Sequence, residues 1–555
     1  MQTIEIFCEN SGEHIYCAPG ATLLDLAGQS SAYTPHRILA ALVDNELKEL
    51  NYIVYRPHNV RFIDISHPDG QRTYQRSLVF LLQKAVRDLF PGYQLQVKYT
   101  VLNGLYCELM GEEQIVNEQL LQALEKRMRE LVAENKLFGR KKLAADKAIA
   151  LFRQNGQPEK ALLQQTRGRF YTSVYYIDAY PDYFYGPLVP SAAYLSVFSL
   201  SMYQEGFVVL MPNPQQPDTP LPVKVQPKLF DIFQENKEWI KILGAHSIGA
   251  INQAIQHGEI KKLIMVSESL HEKKYAQLAD EIQKREKIRL VLIAGPSSSG
   301  KTTSSKRLAI QGKVVGLNPV LLEMDNYFVC RELTPRDADG NYDFEDVHAL
   351  DLPLLNQHLQ DLFAGKEIHI PTFDFNTGKR SFKDGNTLKM SNKDILIMEG
   401  IHALNPILTA SIPDEIKYKI YCSALTSVGV DENNRISTTD NRLIRRFVRD
   451  AQFRGYSASE TIMRWPSVRR GEDRNLFPFQ ENADIMFNSA LTYETYILRR
   501  YAEPLLRRIK PTDPAYSEAI RLLRFLSYFE VLPAATENYI PSNSILREFI
   551  GGSIF

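Results

Sequence analysis

The sequence carries no net charge: its 555 residues include 65 basic and 65 acidic side chains. That balance argues against bulk electrostatic attachment to nucleic acid or membrane, while leaving room for a local basic patch. Cysteine is scarce. Cys8, Cys17, Cys107, Cys330 and Cys422 are scattered, odd in number and without C-x-x-C spacing, so neither a disulfide framework nor a zinc site is indicated. No apolar run approaches the roughly 20 residues that cross a bilayer. The start, Met1-Gln-Thr-Ile-Glu-Ile-Phe7, lacks a basic and then apolar signal segment. A cytoplasmic, reduced protein with no membrane partner is expected. No fixed-period repeat is present, and biased composition is confined to residues 212–227, where six of sixteen positions are proline. That density rules out a helix or a central strand and reads as an extended surface connection. The length exceeds one hydrophobic core and suggests about three or four domains.

What is present is concentrated in Val291-Leu-Ile-Ala-Gly-Pro-Ser-Ser-Ser-Gly-Lys-Thr302. An apolar run ends in G-x-x-x-x-G-K-T, and the residues after it can continue as a helix, which is the context a phosphate-binding P-loop needs. Gly295 and Gly300 let the backbone curl so that N–H groups converge on a phosphate at a helix N-terminus. Pro296, Ser297, Ser298, Ser299 and Thr303 complete the expected nucleotide cradle. Lys301 would reach the β/γ-phosphates and the Thr302 hydroxyl would ligate Mg²⁺.

From about residue 286 to 510, apolar strand candidates alternate with helical patterns, the sign of a mostly parallel α/β sheet. Two candidate strands end in acids: Pro319-Val-Leu-Leu-Glu-Met-Asp325 and Asp394-Ile-Leu-Ile-Met-Glu399. An acid at the carboxyl end of a strand beside the P-loop strand would sit over the phosphate crevice. A basic segment, Arg442-Leu-Ile-Arg-Arg-Phe-Val-Arg449, follows. On a helix Arg442, Arg446 and Arg449 share one face, and guanidinium forks suit a triphosphate.

The wording of these segments carries a resemblance. Asp325-Asn-Tyr-Phe328, Asp343-Phe-Glu-Asp-Val-His-Ala-Leu-Asp351, Pro371-Thr-Phe-Asp-Phe375 and Glu399-Gly-Ile-His-Ala403 resemble, in order and spacing, the uridine kinase/phosphoribulokinase family. The likeness implies ATP as donor and Mg²⁺ as cofactor. It also implies Asp325 as the base that accepts the acceptor hydroxyl's proton, and Glu399 as a Mg²⁺ ligand with Thr302. Glu345 would bind sugar hydroxyls, and Arg446, Arg449 and Arg454 would belong to a lid over the nucleotide, with Arg446 also near the acceptor. Where that family places a Tyr and, five residues on, a His to recognise a pyrimidine, this sequence has Phe373 and Gly378. A further lid Arg is Tyr456 and a downstream Gln is Arg464. Phe373 can still stack a ring, but the hydrogen-bonding set for uracil is not reproduced.

The front half has its own likeness. Ala18-Pro-Gly-Ala-Thr-Leu-Leu-Asp-Leu-Ala27 and Leu42-Val-Asp-Asn-Glu-Leu-Lys-Glu-Leu-Asn51 resemble a TGS domain, the ubiquitin-like β-grasp module at the front of threonyl-tRNA synthetases. Within it, Thr22-Leu-Leu-Asp25 reads as a capped helix start and Asp44-Asn45 as a turn. Arg76-Ser-Leu-Val-Phe-Leu-Leu82 and Tyr185-Gly-Pro-Leu-Val-Pro190 are similar to the synthetase editing domain. That family's two His, Cys and final His fall on Arg76, Phe80, Phe184 and Leu188, so its metal and catalytic groups are absent.

The expected architecture is therefore α/β. A TGS-like domain occupies residues 1–65 and an α+β editing-like domain 66–235. A helical connector spans 236–285, with helices over 248–257 and 271–287. A P-loop kinase domain covers 286–510 and a C-terminal tail 511–555. The expected function is ATP-dependent phosphorylation of a nucleoside 5′-hydroxyl, uridine- or cytidine-like or another nucleoside, to the monophosphate. The alternatives are a tRNA- or ribosome-associated regulator that uses the P-loop as a switch, and a kinase for a non-nucleoside small alcohol. The front half is expected to dimerise the protein, making a homo-oligomer, or to sense RNA or a regulatory ligand.

Overall fold

Alternating apolar and polar residues in Ile4–Cys8 put Ile4, Ile6 and Cys8 on one buried face, as period-two patterning requires. In this computed structural model that strand joins a five-stranded sheet in the order Glu13–Cys17, Ile4–Cys8, His58–Ile63, Ala40–Val43, Glu46–Lys48. The structure describes residues 3–29, 34, 36–101, 103–111, 116–337, 340, 342–374 and 377–555. Met1, Gln2 and Phe375, named above, lie outside them. The helix Leu23–Gln29 opens with a reciprocal cap: the Thr22 N–H and hydroxyl donate to Asp25, and the Asp25 N–H donates back to the Thr22 hydroxyl. Asp44 and Asn45, at φ 47° and 60°, form the turn between Ala40–Val43 and Glu46–Lys48.

The 22-residue helix Pro68–Leu89 follows. It packs with a four-stranded antiparallel sheet ordered Ser199–Tyr203, Gly206–Leu210, Gly104–Met110, Gln94–Val101, and near a three-stranded one made of Phe138–Ala144, Tyr171–Ile177 and Tyr180–Asp182. The proline-rich stretch pairs with itself as a short hairpin, Pro212–Asn213 with Gln216–Pro220. Its last proline begins the helix Pro227–Leu243. The border expected at 235/236 falls inside that helix. The connector's long helix is Ile260–Lys284, starting eleven residues earlier than position 271.

The P-loop strand, Leu290–Ala294, lies third in a five-stranded, all-parallel sheet ordered Asn318–Glu323, Asp394–Glu399, Leu290–Ala294, Lys417–Ser423, Ile485–Asn488. All five residues of the P-loop strand are buried, as for a parallel strand covered on both faces. Val291 and Ile293 face one core, with Leu308 of the helix Lys301–Val314, Leu443 and Phe447 of the helix Thr438–Phe453, and Tyr275 and Leu278 of Ile260–Lys284. Leu290, Leu292 and Ala294 face the other, with Leu355 and Leu359 of the helix Leu352–Phe363. That second core also holds Tyr99, Tyr106 and Val208 from the front half.

Two expectations need correction. The strand leading to Asp325 does not lie beside the P-loop strand, because Asp394–Glu399 intervenes. Residues 511–555, expected as a C-terminal tail separate from the kinase domain, pack into it: Leu522, Phe525, Leu526, Ile545 and Phe549 are buried in the core that contains Val291. Among the described residues no helix is long and apolar enough to cross a membrane.

Candidate active site

The loop after Leu290–Ala294 is shaped by what surrounds it. A Cβ on Gly295 would lie 2.0 Å from the Cys422 carbonyl oxygen on the neighbouring strand, so only glycine fits. Ser298 and Gly300 have φ of 59° and 82°. Such turns bring successive N–H groups into one concavity, an anion-binding nest. Gly300 is also the N-cap of Lys301–Val314 and gives its first turn no side-chain cap, which leaves a helix N-terminus available to an anion. In this structure Lys301 Nζ donates to the Pro296 carbonyl at 3.2 Å.

The Thr302 hydroxyl donates to Glu399 Oε1 at 2.7 Å. The adjacency follows from strand order: Glu399 ends the strand paired directly with the P-loop strand, in register with Ile293. Burial pushes the Glu399 carboxyl up, with Lys301 opposing and Asp325 adding to the rise. Asp325 itself sits on the 3₁₀ turn Met324–Tyr327, just past its strand. Gly400 admits that turn, since a Cβ there would meet the Met324 sulfur at 2.7 Å.

Glu345 closes the same crevice. Burial pushes its carboxyl up to about 7, with Arg446 and Lys301 drawing it down and Glu472 and Asp325 pushing it up. Gly471 makes the place for it, because a Cβ on that helix residue would lie 2.2 Å from the Glu345 Cβ. Lys301, Thr302, Asp325, Glu345, Glu399 and Arg446 thus converge although up to 145 positions separate them in sequence.

The arginines of Thr438–Phe453 divide into two sets. Arg446 Nη1 donates to the Ser297 hydroxyl at 2.7 Å, and Arg449 donates to Asp450 at 2.8 and 3.1 Å. Arg454, at the end of the helix, is drawn down to about 10 by burial and by Arg449, with Asp450 opposing. Arg442 is different. It is buried, paired with Glu472, and donates through Nε to the Ser297 carbonyl at 3.0 Å. The expectation that it joins Arg446 and Arg449 as a lid arginine therefore fails: it holds the P-loop backbone from the side. Arg445 does likewise, donating to the Ser298 carbonyl at 3.3 Å while paired with Glu494.

Three contacts had no sequence signal. Glu472 accepts the Ser297 N–H at 2.9 Å while pairing with Arg442 and, at 2.9 Å, with Arg469. Glu548 accepts the Thr303 hydroxyl at 2.7 Å, and Ile545 packs where a Gly300 Cβ would come within 2.7 Å of it. All three join segments far apart in the chain, and no local spacing encodes them.

Phe373 is buried in the hairpin of Glu367–Asp374 with Lys379–Lys389, its ring 5.4 Å from that of Phe328. Gly378, at φ 71°, lies against Arg331, whose Nε would be 2.6 Å from a Cβ there. The other two replaced positions meet each other, with the Arg464 guanidinium 4.5 Å from the Tyr456 ring centroid. In the front half, Phe80 and Phe184 pack with ring centroids 5.4 Å apart, Leu188 is buried, and Arg76 donates to the Pro187 carbonyl. Aromatic packing fills the place where the synthetase likeness would put imidazoles and a thiol.

Comparison with known proteins agrees with this geometry. Residues 290–495 match the model of the phosphoribulokinase / uridine kinase family. The chain is 31% identical over 201 residues to a uridine kinase of Macrococcus caseolyticus, covering 36% of this chain and 87% of that one. It is 33% identical over 199 residues to a uridine kinase of Staphylococcus aureus, covering 36% and 86%. Its front part is similar to a threonine–tRNA ligase of Marinobacter nauticus, 28% identical over 191 residues, which are 34% of this chain and 30% of the ligase. The chain belongs to the phosphoribulokinase / uridine kinase family and joins that P-loop kinase region to a threonine–tRNA ligase-like front.

Proposed function

We propose that the protein transfers the γ-phosphoryl group of ATP to a primary hydroxyl of a small acceptor, foremost the 5′-hydroxyl of a nucleoside. The observation that carries this reading is the shared crevice of a P-loop, a hydrogen-bonded Thr302–Glu399 pair and two further acids, Asp325 and Glu345. A nucleotide switch needs the first two and has no use for an acid poised at an acceptor.

ATP fits the nest formed by residues 295–303. Lys301 turns from the Pro296 carbonyl to the β/γ-phosphates, and Arg446, Arg449 and Arg454 meet the charge that develops as the phosphoryl group moves. Mg²⁺ fits Thr302 and Glu399, a hydroxyl and a carboxylate 2.7 Å apart of the all-oxygen kind that hard cations take. Held there, it would supply positive charge against the phosphate oxygens. Asp325 orients the acceptor hydroxyl and takes its proton as the oxygen bonds to the γ-phosphorus. The β–γ bridging P–O bond breaks, and ADP leaves with the bridging oxygen.

Glu345 accepts hydrogen bonds from the acceptor's remaining hydroxyls, and Phe373 offers a ring face. Arg331, packed over Gly378, brings a guanidinium where the relatives' pattern has an imidazole. A guanidinium only donates, which favours a base presenting carbonyl or ring-nitrogen acceptors. The test is ADP release across a panel of nucleosides and small polyols, with Lys301→Ala as control. Acceptor-dependent ADP release that vanishes in the control supports the reading; no acceptor raising the rate above that with water would sink it.

A further inference from the structure

A second cleft, of about 580 Å³, lies where the front half meets the kinase sheet. None of residues 295–303, Asp325, Glu345 or Glu399 lines it. Its walls bring together Arg76 of Pro68–Leu89, Tyr185, Arg435, and the first turn of Thr438–Phe453.

Charge on these walls is uneven. Arg72 and Arg521 are matched by Asp69, Glu518 and Asp440. Arg76 has no carboxylate partner among the described residues; it donates to the Pro187 carbonyl at 3.0 and 3.1 Å and to the Thr73 hydroxyl at 3.2 Å. Arg435 has no ion-pair partner among them either. Asp440, the acid whose charge reaches Arg435, is already held by two Arg521 nitrogens at 2.6 and 2.7 Å. Burial draws the Arg76 guanidinium down to about 10, and Arg435 is lowered for the same reason. Both side chains are half-buried and line the cleft, so two guanidinium charges without carboxylates are open to an anion that enters it. The residue before Thr438–Phe453, Ser437, lines the cleft and gives that 16-residue helix no side-chain cap, so its first N–H groups add to the same potential. Tyr185, Phe233 and Phe477 supply apolar surface.

We propose that this cleft binds a small phosphorylated metabolite of mononucleotide size as an effector of the P-loop site, its phosphate charge met by Arg76 and Arg435. The volume is that of a ligand pocket, and guanidinium forks on its walls suit a phosphate. The protein's zero net charge gives a polyanion such as RNA no long-range attraction. The route to the P-loop is one residue long. Arg442 lines the cleft and also donates to the Ser297 carbonyl while paired with Glu472, which holds the Ser297 N–H. An occupant that shifts Arg442 shifts the nucleotide cradle.

The test is calorimetric titration of the full-length protein, with and without Mg²⁺ and a non-hydrolysable ATP analogue. The probes are the four ribonucleoside 5′-monophosphates, the matching nucleosides and a short single-stranded RNA. At least one monophosphate should bind to the analogue-loaded protein, and Arg435→Gln should weaken it while leaving the binding of its nucleoside, at the acceptor crevice, unchanged. The weakening should be about tenfold or more, the loss of a charge-assisted contact, and Arg435→Lys should recover part of it. Arg76→Gln should act in the same direction, with circular dichroism reporting that it folds. The monophosphate and the analogue should alter each other's affinity by one common factor, as linkage requires. The proposal is overturned by undiminished binding in Arg435→Gln, by RNA binding without monophosphate binding, by no monophosphate binding, or by affinities indifferent to the analogue.

Discussion

At the scale of single residues, Asp325 carries the sharpest consequence. If it is the base, Asp325→Asn keeps the shape and removes the proton acceptor. A positioned general base contributes roughly 10²–10⁴-fold, so kcat should fall by about that factor, ~3–5 kcal/mol of barrier. Mg·ATP affinity should hardly change, because residues 295–303 and the arginines bind the nucleotide. Lost Mg·ATP binding, with the rate restored by added Mg²⁺, would instead make Asp325 a metal ligand. Lys301→Ala should abolish transfer and leave the circular dichroism spectrum unchanged, since among the described residues the side chain's hydrogen bond is to a carbonyl oxygen.

Glu345 gives a pH dependence of definite sign. Its carboxyl is pushed up to about 7 by burial, opposed by Arg446 and Lys301 and assisted by Glu472 and Asp325. In the folded protein it therefore stays protonated through a range where an unfolded-chain glutamate, near 4.3, is ionised. This group's contribution to stability is full below that unfolded value and is lost as pH rises through about 7. Function runs the other way, because the carboxylate accepts through both oxygens, whereas the protonated acid carries a donor on one of them. The acceptor's kcat/KM should thus rise as pH climbs through about 7, and Glu345→Gln should flatten that limb. A variant that keeps the same limb would assign it to another group. Glu345 was legible from its place in a family-like run of residues, whereas its burial under Gly471 was not, because that contact joins residues 126 positions apart.

At the scale of elements, the strand–loop–helix around residues 290–314 was fully written in the sequence, since each signal there is local. The sheet order was not. Asp325 and Glu399 both follow apolar runs, and nothing in either run says that Glu399's strand takes the place beside the P-loop. The basic helix was half legible. Its 3.6-residue period placed Arg442, Arg446 and Arg449 together, but the period is silent about Glu472 and Glu494, which turn Arg442 and Arg445 into supports for the loop backbone. A stability experiment separates those roles. Glu472→Ala leaves Arg442 buried without its partner, and breaking a buried pair costs about 3–5 kcal/mol. Denaturant unfolding should show a loss of that size, accompanied by weaker ATP-analogue binding because the Ser297 N–H loses its acceptor. An unchanged midpoint would mean that water or another group compensates the guanidinium.

At the scale of the whole molecule, the sequence reads as modules joined end to end, and the structure merges them. The segment before the basic helix reaches into the front half: the Val97 N–H donates to the Glu432 carbonyl at 2.9 Å, Asn433 Nδ2 to the Leu95 carbonyl at 2.7 Å, and Asn434 Nδ2 to the Tyr183 carbonyl at 2.9 Å. From the other end, the C-terminal segment seals the loop. Leu522, Phe525, Leu526, Ile545 and Phe549 enter the core shared with Val291 and Ile293, Glu548 takes the Thr303 hydroxyl, and Arg521 holds Asp440 at the start of the basic helix. Full burial of a large apolar side chain is worth about 1.5–3 kcal/mol, so five of them carry on the order of 10 kcal/mol, comparable to the net stability of a domain. A chain ending at residue 510 should therefore lose cooperative unfolding and ATP-analogue binding together. Glu548→Gln, which removes one charged contact and no core, should stay folded with a thermal midpoint close to the parent and change only nucleotide affinity, by less than about tenfold. Calorimetric melting of both variants beside the parent decides the matter. A soluble 1–510 chain that melts cooperatively and binds the analogue as the parent does would show the kinase core to be complete without its last 45 residues.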